Sequence, residues 1–149
     1  MNTRHPGKLK YCLNALLLIA PAWFFYASLT PPSTPDPWPA QTLGSWSMAP
    51  TPADINPPYR HDGALVKDFR FHLCPGCGAQ VRTAIARVAS TAPALDAKIE
   101  GVIHGHGDIL EAHVPWPEEL TDEHLLWITA QDWSGAIHHA SWPLPSHRD

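Results

Sequence analysis

The stretch that decides the interpretation of this sequence is FRFHLCPGCG, residues 69–78. Its first half alternates apolar and polar side chains, which is typical of a half-buried β-strand. Its second half contains a C-x-x-C pair, Cys74 and Cys77, with His72 two residues before the first cysteine. Two sulfurs and an imidazole at this spacing form the one cluster of soft metal ligands in the sequence. The most chemically distinctive groups therefore lie at the end of a predicted strand.

The alternation extends backwards, so the sequence predicts a strand over residues 64–73. Beyond the cysteines, apolar residues recur at helical spacing from Val81 to Val88, which predicts one helix over about 76–89. Pro75 would stand near the first helical position, where its missing N–H costs nothing. Free N–H groups and the helix dipole at such a terminus would lower the pKa of at least one cysteine.

The rest of the chain reads mostly as strands. Residues 97–104 and 109–116 predict two strands around a hairpin turn at 105–108. Residues 135–142 predict a last strand, while residues 120–131 fit a helix and a strand equally well. The hairpin would gather three histidines at one end or one face: His104, His106 and His113.

An apolar run over residues 12–29 precedes all of this. As a helix it would be about 27 Å long, close to the thickness of a bilayer core. Three basic residues precede it, and the next basic residue is Arg60. By the positive-inside rule we expect a transmembrane anchor in the cell inner membrane, with a cytoplasmic tail over 1–11 and the remainder on the periplasmic or extracellular side. The alternative is a cleaved signal peptide.

Residues 30–58 hold nine of the seventeen prolines. Proline fixes φ and removes a donor, so the segment predicts a spacer whose first ten residues are extended and semi-rigid. Within it, residues 41–48 alternate in a pattern that fits a short strand. The globular domain is then expected over residues 59–149.

The net charge of the chain argues against nucleic acid as a partner. The net charge is −4, and no Lys/Arg stripe is interleaved with aromatic residues, which excludes nucleic acid as a partner. Ten histidines stand against ten lysines and arginines. Because imidazole titrates near neutrality, this composition suits metal binding or pH sensing, although solvated surface histidines give the same count.

Residues 72–77, followed by Val81 and Ile85, resemble the M-x-C-x-x-C loop and first helix of heavy-metal-associated, copper-chaperone-type domains. The resemblance covers roughly residues 64–142 and is strong at 72–88. His72 takes the place of the family's methionine. Such a resemblance implies a ferredoxin-like βαββαβ fold, with Cys74 and Cys77 as ligands of Cu(I) or Zn(II).

The expected fold class is therefore α+β. It combines an N-terminal transmembrane helix, a proline-rich spacer and a small antiparallel-sheet domain with one helix after the C-x-x-C. A ferredoxin-like domain is the first expectation, and a β-sandwich-like domain is the alternative.

The chemistry of the thiol pair leaves several functions open. Soft thiolates suit Cu(I) or Zn(II), and two sulfurs suffice for near-linear Cu(I), whereas tetrahedral zinc needs two more ligands. The sequence-based metal site consists of Cys74, Cys77, His72, His104, His106 and His113. Thiol–disulfide exchange and a structural disulfide are the alternatives for the same two cysteines.

The sequence thus favours a membrane-anchored extracytoplasmic protein that binds or delivers a soft metal, most simply copper. Its partners would be the bilayer, contacted through residues 12–29, and a membrane protein complex or a metal-receiving protein. The alternatives are a thiol–disulfide oxidoreductase and a non-catalytic accessory subunit of a membrane complex. No Ser/His/Asp arrangement, phosphate loop or paired-carboxylate signature occurs, so catalysis has no support apart from the thiol pair.

Overall fold

The computed structural model describes residues 6–29, 34–95 and 100–145. The chain divides into a helical unit before residue 34 and a β unit from Thr34 onward. In the first unit, helix α1 (Pro6–Ser28) covers the apolar run.

Among the residues that the structure describes, no helix is both long enough and apolar enough to cross a membrane. This finding corrects the prediction of a transmembrane helix over residues 12–29. A helix does form there, with Pro21 inside it.

The β unit begins with a mixed-length antiparallel sheet, called here the first sheet. Its strands are β1 (Gln41–Leu43), β2 (Trp46–Pro52), β3 (Tyr59–His61), β4 (Ala64–Leu73), β6 (His104–His106) and β7 (Ile109–Pro115). The pairing order is β1-β2-β4-β7-β6, with β3 also pairing with β4. Strands β1 and β2 lie within the stretch expected to be a spacer, and β2 pairs antiparallel with β4.

The second sheet is antiparallel as well and has the order β5-β8-β9. Its strands are β5 (Val81–Ala89), β8 (Leu125–Asp132) and β9 (Ile137–Pro143). The two sheets share one hydrophobic core, because buried side chains such as Phe71 and Val114 of the first sheet cluster with Ile128 and Trp142 of the second. Apolar burial between two sheet faces is therefore the main force that stabilises the unit.

The helix predicted over residues 76–89 is wrong. A single turn of 3₁₀ helix (Gly78–Gln80) is followed directly by β5, which pairs along its length with β8. Ala84, Ala86 and Val88 point into the core at every second position, which is the period of a strand.

The ferredoxin-like βαββαβ prediction is wrong for the same reason. That fold needs two helices packed on one sheet, and within residues 34–95 and 100–145 the structure has no α-helix. Other strand predictions agree with the structure: 64–73 is β4, 109–116 contains β7, and 135–142 overlaps β9. The ambiguous segment over 120–131 overlaps β8 from Leu125 onward. Residues 97–99 of the strand predicted over 97–104 lie outside the described residues, and of the remainder only His104 belongs to a named strand, β6.

Candidate functional site

The C-x-x-C motif forms a closed turn where the chain passes from the first sheet to the second. Cys74 and Cys77 are joined by a disulfide bond. Pro75 and Gly76 are the central residues of the turn, and Cys77 N donates a hydrogen bond to Cys74 O at 2.9 Å. Gly76 has a φ of 76°, a left-handed conformation that glycine adopts without a Cβ penalty. The local sequence therefore favours the turn that brings the two sulfurs together.

A carboxylate from the β6–β7 hairpin closes this turn from outside. Asp108 Oδ1 accepts a hydrogen bond from Gly78 N at 3.0 Å, and its Oδ2 accepts one from Gly76 N at 2.8 Å. The N–H groups of Gly78 and Gly76 lower the pKa of Asp108, because they stabilise the charged carboxylate. We call this arrangement of Asp108, Gly76 and Gly78 the Asp108 clamp.

The Asp108 clamp depends on a close approach of two backbones. Leu73 N donates a hydrogen bond to Asp108 O at 2.8 Å, which fixes the hairpin turn beside the end of β4. A Cβ built on Gly78 would lie 1.9 Å from Gly107 O. Real atoms cannot come so close, so the hairpin can dock here only because residue 78 is glycine.

The two sulfurs have different surroundings. Cys77 is 7% exposed and belongs to the hydrophobic core, whereas Cys74 is only partly buried. Ser47 N donates a hydrogen bond to Cys74 Sγ at 3.2 Å. An N–H directed at a sulfur stabilises the thiolate more than the thiol. Cys74 therefore has the surroundings of a reacting sulfur, and Cys77 those of a protected one.

A cleft of about 370 Å³ opens beside the turn. Gly78 and Ala79 line one side of it, and Gly105 and Gly107 line the other. The larger side chains of Arg82, His106 and Leu110 also line the cleft, and neither cysteine does.

No helix terminus supports the cysteines, so the prediction of a helix-lowered cysteine pKa is wrong. That prediction needed a helix that starts at the turn, and β5 occupies its place. The N–H groups of Gly76 and Gly78 donate to Asp108 rather than toward a sulfur. The N–H of Ser47 takes the role that the helix was expected to have for Cys74.

The structure does not gather the six predicted metal ligands. His72 on β4 and His106 on β6 pair with Ile109 from opposite sides. Two strand spacings separate them, or about 10 Å. His104 on β6 pairs with Glu111 on β7. Both cysteines are bonded to each other in the disulfide, so neither is free to bind a metal ion. In the part of the chain that the structure describes, no three His, Cys, Asp or Glu side chains are placed to hold a metal ion.

His113 belongs to a separate polar cluster on the outer surface of the first sheet. Its Nδ1 lies 2.5 Å from Asp68 Oδ1, and the Tyr59 hydroxyl donates to the same carboxylate at 3.1 Å. The His113 ring also stacks on His61, with 5.2 Å between ring centroids. These neighbours account for the contacts of His113 without either cysteine.

Sequence reasoning missed Asp108 and Ser47. The Gly107-Asp108 pair signals a turn, and that turn was predicted, but nothing local indicates which loop the carboxylate faces. Ser47 acts through its backbone N–H, so its side-chain identity carries no signal.

The chain was compared with known proteins. A family model described as "Uncharacterised conserved protein UCP029505" matches residues 7–145. No curated protein and no solved structure matches the chain. The family match includes no heavy-metal-associated domain, and a strand replaces that family's first helix, so the resemblance to copper-chaperone-type domains is wrong. By its match over almost the whole sequence, the chain belongs to the family of uncharacterised conserved proteins UCP029505.

Proposed function

We propose that the β unit is a thiol–disulfide exchange domain whose reacting group is the Cys74–Cys77 pair. The observation that carries this proposal is the asymmetry of the two sulfurs. Cys74 is partly exposed and receives an N–H from Ser47, whereas Cys77 is buried in the core. Exchange requires one sulfur that an outside thiol can reach and a second that reacts only within the protein.

The exchange reaction balances with a partner dithiol alone. A thiolate of the partner attacks Cys74 Sγ, the Cys74–Cys77 bond breaks, and the electron pair leaves on the Cys77 sulfur. The partner's second thiolate then attacks its own sulfur in the mixed disulfide and releases Cys74 as a thiolate. Two electrons and two protons pass from the partner to the cysteine pair. The same steps in reverse reduce a partner disulfide, with Cys74 as the nucleophile.

The small contribution of this disulfide to the stability of the fold also suits exchange. A disulfide stabilises a fold chiefly by restricting the unfolded chain, and this effect is small when two residues separate the cysteines. The Ser47 N–H stabilises the Cys74 thiolate when the mixed disulfide is resolved and when the reduced pair attacks a partner disulfide. A bond that adds little stability to the fold can be opened without unfolding the domain.

The disulfide further supports an extracytoplasmic location for this unit. Disulfides form and persist in oxidising compartments and are rare in the cytosol. Binding of Cu(I) or Zn(II) by these cysteines remains a prediction and would require the reduced form, since the disulfide leaves neither sulfur free as a thiolate.

The proposal is tested by trapping, in the full chain with Cys12→Ser as the parent so that no third thiol reacts. Reduced Cys77→Ser keeps the reacting sulfur, and reduced Cys74→Ser keeps the buried one. Each variant is mixed with a disulfide-linked dipeptide, and the mixed disulfide is followed by mass spectrometry. We expect Cys77→Ser to react at least about tenfold faster than Cys74→Ser, because an accessible, stabilised thiolate is the better nucleophile. Equal rates for the two variants, or no reaction by either, would overturn the proposal.

A further inference from the structure

We propose that Asp108 is a positioning residue for the Cys74–Cys77 pair: it holds the turn in its disulfide-bonded conformation and makes the bond harder to reduce. This inference rests on the proposed function in one respect, namely that the bond opens and closes during the protein's activity.

Asp108 is committed to this turn through three main-chain contacts. Its two carboxylate oxygens accept separate N–H groups, from Gly76 at 2.8 Å and from Gly78 at 3.0 Å. Its carbonyl oxygen accepts the N–H of Leu73 at 2.8 Å. The contacts therefore lie on both sides of Cys74 and on both sides of Cys77. A residue that grips the backbone at these points resists any movement of one sulfur away from the other.

Reduction requires such a movement. Bonded sulfurs are about 2 Å apart, whereas two non-bonded thiols need roughly 3.5 Å or more by van der Waals contact. The sulfurs separate by rotation of the cysteine side chains and by widening of the turn, and the hydrogen bonds of Gly76 and Gly78 to one carboxylate resist the widening. The Asp108 clamp is thus strongest in the oxidised form, and whatever binds one state better shifts the equilibrium toward it.

The charge of Asp108 acts in the same direction. A carboxylate near a thiol disfavours the thiolate, because two like charges repel. Reduction of the disulfide creates two thiols, and any thiolate formed on Cys74 or Cys77 would face this repulsion. The hydrogen bonds of Asp108 therefore favour the disulfide over the dithiol, and its charge disfavours the thiolate forms of the reduced pair.

The test compares two aspartates that both close turns through backbone N–H groups. Asp108→Asn leaves one acceptor oxygen for the two N–H groups of Gly76 and Gly78. It also places the amide NH₂ donor against whichever N–H the oxygen does not accept. Asp132→Asn is the matched control, because the Asp132 carboxylate accepts the N–H groups of Ser134 and Ala136 in the β8–β9 turn. Both variants are made in the full chain with Cys12→Ser and equilibrated with glutathione redox buffers. The oxidised fraction is measured by thiol alkylation and mass spectrometry.

We expect Asp108→Asn to increase the equilibrium constant for reduction about tenfold, a shift of roughly 30 mV for a two-electron couple. Asp132→Asn should stay within twofold of the parent. An unchanged constant in Asp108→Asn, or an equal shift in the control, would overturn the inference.

A second measurement needs no substitution at Asp108. Amide hydrogen exchange at Gly76 and Gly78 is compared in the oxidised and reduced parent protein. We expect both amides to be protected in the disulfide form and to lose at least about tenfold in protection on reduction, because the Asp108 clamp opens. Equal protection in the two forms would contradict the inference even if Asp108→Asn does not fold.

The two proposals fail separately. If trapping shows no preference for Cys74 while Asp108→Asn still shifts the reduction equilibrium, exchange with partners is rejected and the role of Asp108 stands. If trapping succeeds while the equilibrium does not move, the role of Asp108 is rejected and exchange stands.

Discussion

Two turns of the β unit are closed by an aspartate, and they differ in where the hydrogen-bond donors come from. Asp132 Oδ1 accepts Ser134 N at 2.8 Å and Ala136 N at 3.1 Å, and its Oδ2 lies 3.0 Å from His138 Nε2. These partners are no more than six residues away. Asp108 instead accepts N–H groups 30 and 32 residues away in the chain. One turn closes itself, and the other closes only when the folded chain brings two distant loops together.

The Asp132 turn is closed by hydrogen bonds within one hairpin, whereas the Asp108 clamp is formed by hydrogen bonds between two distant loops. The contacts of Asp132 can form as soon as the β8–β9 hairpin forms, because all of their donors lie within that hairpin. The Asp108 clamp couples the C-x-x-C turn to the β6–β7 hairpin, so the state of the disulfide and the position of that hairpin depend on each other. The long-range turn is therefore the one that can influence a reaction.

The largest effect is expected at the close approach of Gly78 and Gly107, which lets the C-x-x-C turn meet the β6–β7 hairpin. Gly78→Ala would place a Cβ 1.9 Å from Gly107 O, which forces the hairpin away from the turn. We expect a loss of about 3 kcal/mol in the free energy of unfolding, at the upper end of the usual cost of overpacking. Urea unfolding of the oxidised full chain measures it.

Gly76→Ala is the matched control, because nothing lies within 4 Å of its added Cβ and the cost comes from φ alone. We expect it to lose about 1 kcal/mol, the usual cost of a left-handed conformation for alanine. Equal losses for the two variants would show that the close approach of Gly78 and Gly107 does not matter.

Acid gives a smaller effect that distinguishes the two turns. The pKa of Asp108 is lowered by Gly78 N and Gly76 N, and that of Asp132 is lowered chiefly by His138 and then by Ser134. A carboxyl with a lowered folded-state pKa contributes stability that is present above its unfolded pKa and is lost as pH falls through the folded one. We therefore expect the urea midpoint of the oxidised chain to decline from about pH 4 downward.

The variants Asp108→Asn and Asp132→Asn show how much each carboxyl contributes to the fall of the urea midpoint with acid. In Asp108→Asn and in Asp132→Asn the midpoint should fall less steeply with acid than in the parent, because one titrating carboxyl has been removed. Slopes that match the parent in both variants would contradict the role given to these carboxylates. Midpoints are read between about pH 2 and pH 5, the range in which aspartates with lowered pKa values gain protons.

The same contrast explains how much the sequence could predict. The strand predictions over 64–73 and 109–116 succeeded, because β4 and β7 each have one buried and one solvated face. β5 was mistaken for a helix because its outward face is not polar throughout. Ile85 is 4% exposed and pairs with Thr129, whose hydroxyl donates to Pro93 O in a segment that crosses this face. Burial on both faces hid the strand period.

The candidate site was predictable to the same extent. The C-x-x-C and its turn follow from adjacent residues, since Pro75 and Gly76 select the turn and place the sulfurs near each other. The Asp108 clamp could not be predicted, because no periodicity or spacing connects a carboxylate to two N–H groups some 30 residues earlier. Contacts of this kind depend on which sheet edges meet, and that is decided by packing of the whole unit.

The reduction potential of the Cys74–Cys77 pair decides whether this disulfide belongs to an exchange protein or is structural. It is measured in the full chain with Cys12→Ser against glutathione and dithiothreitol buffers at neutral pH. We expect a potential above about −300 mV, within the range of proteins that exchange disulfides, because the short turn adds little stability to the oxidised form and the Ser47 N–H stabilises the Cys74 thiolate of the reduced form. A potential below about −300 mV is typical of a structural disulfide, and that result would contradict the proposed exchange function.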